Sequence, residues 1–205
     1  MTNPSILDVN ASLYNGDILL FSGTSLFSYS IRAFTNSRWS HCGMVVYREE
    51  QGPNAQIWDV SKKHFGGEVA LYDLQERIAA YNGTIAYRPL MRASNKRGLH
   101  HAEMTNFDSV FQSLIGRPYE TSKLELFKAA FDPKILSYEL SLNAPDLSSI
   151  FCGELIAETY QQLGLLDRDI SANEYVPADF GDHKITQLQK GYHLLDEIII
   201  KEELT

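Results

Sequence analysis

Cys152 stands near the start of the stretch IFCGELIAETYQQL, in which Phe151, Leu155, Thr159 and Leu163 recur at helical spacing. A thiol in the first turn of a helix meets unpaired backbone N–H groups and the positive end of the helix dipole. Both favour the thiolate, which is the nucleophilic form. Gly153 follows it and leaves room for a substrate to approach. His41 opens the apolar run HCGMVV and offers an imidazole, the group a cysteine nucleophile needs to take its proton. Asp59, in IWDV, offers a carboxylate. A turn signal at Gly52-Pro53-Asn54 separates residues 41–47 from 56–60. A hairpin centred near residue 50 sets His41 opposite Asp59 on one face, where the acid can hold the imidazole in one tautomer. Each residue also has a plainer reading: a helical Cys as a small buried hydrophobe, a strand His as a packing residue, a strand-end Asp as a structural acceptor.

The elements that must position these groups follow from apolar periodicity and turn residues. Strands are expected at 16–21, 41–47, 56–60, 69–74, 84–90 and 194–203. Helices are expected at 24–35, about 74–81, 99–115, 120–131 and 150–163, with Gly116 and Gly164 as stops and Ser148 or Ser149 as the cap of the last. Residues 132–147, with Pro133 and Pro145, read as irregular. Strands and helices mix without βαβ alternation, which points to an α+β fold.

With 205 residues, 44% hydrophobic and 21% charged, the chain suits a single domain with a real core. A net charge of −8 excludes a non-specific nucleic-acid binder, which needs clustered Lys and Arg. The short basic cluster from Arg92 to Arg97 reads as a solvated turn. The opening MTNPSILDVN has no secretory pattern, and no apolar run reaches the ~18 residues of a membrane span, so an intracellular setting is expected. Two cysteines do not make a disulfide framework. Cys42 takes the strand face opposite His41 and reads as core packing.

Three blocks of the chain resemble the YaeF/YiiX-type circularly permuted papain-like amidases, relatives of the NlpC-type cell-wall peptidases. The first runs from Gly16-Asp17-Ile18 to Ser40-His41-Cys42-Gly43-Met44-Val45-Val46. The second is Ile57-Trp58-Asp59-Val60, and the third joins Gly116-Arg117-Pro118-Tyr119 to Phe151-Cys152-Gly153-Glu154-Leu155-Ile156. Unpermuted relatives run Cys, His, polar residue; here the order is His, polar residue, Cys. The resemblance implies an antiparallel sheet packed against the helix that carries the nucleophile. It implies Cys152 as nucleophile, His41 as base and Asp59 as orienting residue, with Tyr119 and Gly153 lining the site and Tyr119 helping to hold the oxyanion. The backbone N–H of Cys152 is the other expected oxyanion donor. The mechanism needs no cofactor and no metal.

The chain departs from that pattern in carrying Asp where Glu or His is expected, and in a long stretch between Tyr119 and Cys152 in which about 124–148 reads as a lid-like insertion. His64 and Glu68 are rivals to Asp59 should the hairpin register differ, and a zinc site from His41, Cys42, Asp59 and His64 matches no common spacing. The expected function is cleavage of an amide or ester in a small acyl, lipid or peptide compound. Acyl transfer of the lecithin retinol acyltransferase-like kind, or a non-catalytic binding role on the same fold, are the alternatives. Substrate identity and oligomeric state are not legible.

Overall fold

Strand β1 (Ile18–Gly23) is an unbroken apolar run with all six residues buried, as a strand covered on both faces requires. The computed structural model, which describes residues 12–48, 54–61, 68–117, 148–181 and 184–202, places it inside an antiparallel sheet. The other strands are β2 (His41–Val46), β3 (Gln56–Ser61), β4 (Glu68–Asp73), β5 (Gly83–Arg88) and, from the far end of the chain, β8 (Ile198–Lys201). Their order is β4-β3-β2-β1-β5-β8. A separate ribbon pairs β6 (Leu90–Met91) with β7 (His193–Leu194).

Side-chain alternation splits the core in two. Ile18, Leu20, Cys42, Met44, Trp58 and Ala86 face two long helices, α3 (His101–Leu114) and α4 (Ser148–Gln162). Leu19, Phe21, Val45, Ile57 and Ile85 face the short helix α2 (Leu74–Ala80) through Leu74 and Ile78. Helix α1 (Leu26–Thr35) follows β1; Ser25 caps it by accepting from the Ser28 N–H, and Asn36 ends it in the left-handed region at φ 48°. A last short helix, α5 (Pro177–Phe180), follows a 3-10 turn at Ala172–Glu174.

Three expectations need correction. The strand expected at 84–90 breaks in two because Pro89 has no N–H to give a ladder; its carbonyl accepts from Leu195 instead. The strand expected at 194–203 breaks as well, since β7 follows β6 while β8 joins the main sheet. The Arg92–Arg97 turn is not wholly solvated: Arg97 donates to Asp17 Oδ2 at 2.7 Å. The helix expected at 120–131, the irregular stretch 132–147 and most of the expected insertion lie outside the described residues. Ser148, given to that insertion, is already the first residue of α4. Among the described residues no helix is long and apolar enough to cross a membrane.

Helix α4 is fixed to the sheet by polar bonds as well as apolar contact. Trp58 Nε1 donates to Thr159 Oγ1 at 3.1 Å, and the Tyr160 hydroxyl donates to the Gly16 carbonyl at 2.6 Å. Asp17 accepts the Tyr14 N–H and also the Leu90 N–H, tying the entry to β1 to the β6 ribbon. Burial pushes its carboxyl up to about 6 against the pull of the Leu90 N–H and Arg97.

Arg88 is fully buried and clamps the C-terminal segment: its guanidinium donates to the carbonyls of Phe180, Ile185, Leu194 and Leu195. Replacing it by Met strands these acceptors in an apolar interior. Arg88→Met is expected to lower unfolding stability by about 3 kcal/mol or more, read as a drop in the urea midpoint.

Candidate active site

The ladder between β2 and β3 holds only from Met44↔Trp58 to Val46↔Gln56. Beyond Met44 the two strands continue without pairing to each other, and the groups singled out in the sequence gather at this opening. His41 and Asp59 do share a face, as expected. Their register differs by two residues from the expected one, so they meet on the diagonal rather than directly opposite. His41 Nε2 lies 2.7 Å from Asp59 Oδ1, and both side chains are almost wholly buried. The Val60 N–H also donates to Asp59 Oδ1, at 2.6 Å.

Cys152 comes to this point from α4, on the other side of the sheet. Its sulfur accepts the backbone N–H of Cys42 at 3.4 Å, the donor left over where the β2–β3 ladder ends. The Cys42 thiol donates to the same sulfur. Cys42 is thus more than the packing residue expected, although it is buried in the same core cluster. His41 acts on the Cys152 sulfur as well. Since Nε2 is taken by Asp59, the nitrogen left for it is Nδ1, which is buried and forms no well-shaped hydrogen bond.

The charges of this group depend on one another. Burial opposes a thiolate at Cys152, but the Cys42 thiol and the His41 charge outweigh it and bring the thiol down to about 6. Burial likewise opposes an imidazolium, yet Asp59 and then Cys152 push His41 up to about 10. Burial also opposes the Asp59 carboxylate, which His41 and Arg77 nevertheless hold below its ordinary range. The Cys42 thiol is pushed well up by burial and by its neighbour's negative charge. The shifts run in one sense: towards a thiolate on Cys152, an imidazolium on His41 and a carboxylate on Asp59.

Arg77, from α2, was not among the residues picked out by sequence. Its Nε donates to Asp59 Oδ2 at 3.1 Å and one terminal nitrogen lies 3.3 Å from His41 Nε2. Its only sequence signal is its place on the second turn of a short helix after β4. A cleft of about 250 Å³ lies against Arg77 and His41, and is lined further by Ser25, Ser28, Tyr81 and Asn82. Cys152 itself is fully buried behind His41.

Other expectations change. Helix α4 starts at Ser148, four residues before Cys152, so this thiol sits on the second turn rather than the first. Its N–H there belongs to the helix ladder and is not an oxyanion donor. The room expected beside Gly153 is filled: a Cβ on it would stand 2.7 Å from the Tyr175 carbonyl oxygen and the Val176 backbone, so this glycine admits chain rather than substrate. Tyr119 and His64 lie outside the described residues. Glu68 is exposed at the start of β4, paired with Ser61, and Asp59 is the acid on His41. No group of three or more His, Cys, Asp and Glu among the described residues is placed to hold a metal ion.

The fold is an α+β arrangement in which one antiparallel sheet carries the His–Asp pair and a helix packed on it carries the thiol. The chain matches no family model and no curated protein sequence. Among solved structures it is similar to the crystal structure of metalloprotein YiiX from Escherichia coli O157:H7, at 17% identity over 94% of this chain and 98% of that one, with a TM-score of 0.49.

The electrostatics set a pH signature. A thiol is alkylated as its thiolate, so labelling rises with pH through the thiol pKa. Cys152 is expected to label with iodoacetamide with a midpoint near pH 6, and Cys42 far above it. In Cys42→Ala one donor to the thiolate is gone, so the Cys152 midpoint moves upward; peptide mass spectrometry across a pH series reads both.

Proposed function

We propose that this protein is a cysteine hydrolase that cleaves an amide or ester bond through an acyl-enzyme on Cys152, within a circularly permuted papain-like domain. The observation that carries the reading is the buried chain Cys152–His41–Asp59, with Asp59 2.7 Å from one ring nitrogen and the Cys152 sulfur, lowered in pKa, acting on the other side of the ring. No structural role requires a thiol with a lowered pKa beside a buried imidazole whose Nδ1 has no formed hydrogen bond.

The chemistry follows from the two ring nitrogens. The Cys152 thiolate adds to the carbonyl carbon. As the tetrahedral species collapses, His41 Nδ1–H gives its proton to the departing amine or alcohol. The now neutral imidazole takes a proton from water, the hydroxide equivalent adds to the thioester, and the acid leaves as the thiolate re-forms. Asp59 stays on Nε2 throughout and keeps Nδ1 aimed at the sulfur. The cleft reaches the imidazole, the group that must meet the leaving atom. Its size suits a small acyl, lipid or peptide compound, with no nucleic acid and no cofactor involved.

The test is turnover of a panel of small acyl amides and esters. Cys152→Ala and His41→Ala are expected to lose at least ~10³-fold in kcat/KM while melting near the wild type, and Asp59→Asn to lose ~10²–10⁴-fold. Turnover that survives Cys152→Ala would sink the reading.

A further inference from the structure

We infer that Arg77 is a positioning residue of this site: it fixes the Asp59 carboxylate from behind and, standing beside Nε2, loosens the proton that His41 must give up. The inference rests on the hydrolase reading and names a group that reading does not include.

Asp59 is fully buried, so each of its oxygens needs a donor. Oδ1 is occupied by His41 Nε2 and by the Val60 N–H; Oδ2 receives Arg77 Nε at 3.1 Å. That bond sets the carboxylate plane, because a guanidinium is flat and its donors point in fixed directions. The guanidinium is itself braced over the Phe21 and Tyr81 rings, at 5.4 and 5.8 Å. Phe21 also lies against His41, at 5.4 Å between ring centres with the rings tilted by 54°, so one aromatic side chain adjoins both groups.

The second effect is electrostatic. A carboxylate sealed from water with an imidazolium as its sole counter-charge would hold the Nε2 proton, and hence the ring charge, very firmly. Such a ring is a poor acid towards a leaving group. Arg77 shares the negative charge of Asp59 and places a like charge 3.3 Å from Nε2. Both lower the cost of returning His41 to the neutral state. Arg77 cannot lose its own proton, so this bias is permanent. The charges then alternate along the chain: thiolate, imidazolium, carboxylate, guanidinium. The titratable and charged groups facing it are Cys152 from α4, His41 and Cys42 from β2, Asp59 from β3 and Arg77 from α2, with Asp179 of α5 acting on Cys42.

The experiment compares wild type with Arg77→Met, Arg77→Gln and Arg77→Lys. Two pH titrations are read: Cys152 alkylation by iodoacetamide, and the His41 ring signal by NMR. Loss of the cation raises both midpoints, by about one pH unit in Arg77→Met, because the thiolate loses a favourable charge and the imidazolium loses an unfavourable one. Arg77→Lys, which restores charge without the fork, returns the midpoints at least half way. A packing role would lower the melting temperature and leave both midpoints in place; that result in a folded Met variant overturns the inference. Should Arg77→Met fail to fold, the Gln and Lys pair decides: equal midpoints in the two overturn it. A wild-type Cys152 that titrates as an ordinary thiol overturns the hydrolase reading itself, which is a separate outcome from a low midpoint indifferent to residue 77.

Discussion

Ionised side chains in an apolar interior survive only when every charge is matched at short range, and the His41–Asp59 pair imposes that demand on everything around it. Isolated, either ion would give up its charge rather than stay buried. Here the carboxylate has the imidazole, a backbone N–H and a guanidinium on it, and the imidazole has the carboxylate on one side and a sulfur on the other. The strands, the short helix α2 and the long helix α4 each deliver one partner. Removing any of these elements leaves a charge without its match.

The opening between β2 and β3 is what lets three layers contribute to one site. Were the ladder continuous past Met44, the Cys42 N–H would be spent on β3. It points instead to the Cys152 sulfur, so a group that the sheet leaves unpaired becomes a donor to the thiolate. Helix α4 must then be held in place along its length. Trp58 on Thr159 and Tyr160 on Gly16 supply bonds on the sheet and at the entry to β1, each of which would cost free energy if misaligned.

Residue type and strand parity make Cys152, His41 and Asp59 candidates, and the structure brings the three to one place. His41 and Asp59 are both odd-numbered positions of neighbouring strands, so a hairpin shifted by two residues still puts them on one face. The same parity placed Cys42 on the other side, but nothing in the chain says that the sulfur of Cys152 would reach the strand from that side. Arg77 was illegible for a related reason. It meets Asp59 and His41 across 18 and 36 residues of sequence, and an arginine on a short helix looks like any solvated one until the helix is docked. The break after β5 follows from Pro89, whereas the Arg88 clamp reaches carbonyls 92 to 107 residues away and leaves no local signal. Gly153 suggests open space in the sequence, but its lack of a side chain serves the passage of residues 175–176.

Cys152 lies late in the chain, on an element other than those that carry His41, Asp59 and Arg77. Residues 41–77 hold the imidazole, the carboxylate and the guanidinium within one contiguous stretch of strands and helix, which can assemble from near neighbours in sequence. The sulfur arrives only when α4, from much later in the chain, docks onto that scaffold. Before docking it is a commonplace thiol, mostly protonated at neutral pH. The lowering of its pKa is therefore set by docking and is lost when α4 leaves the sheet.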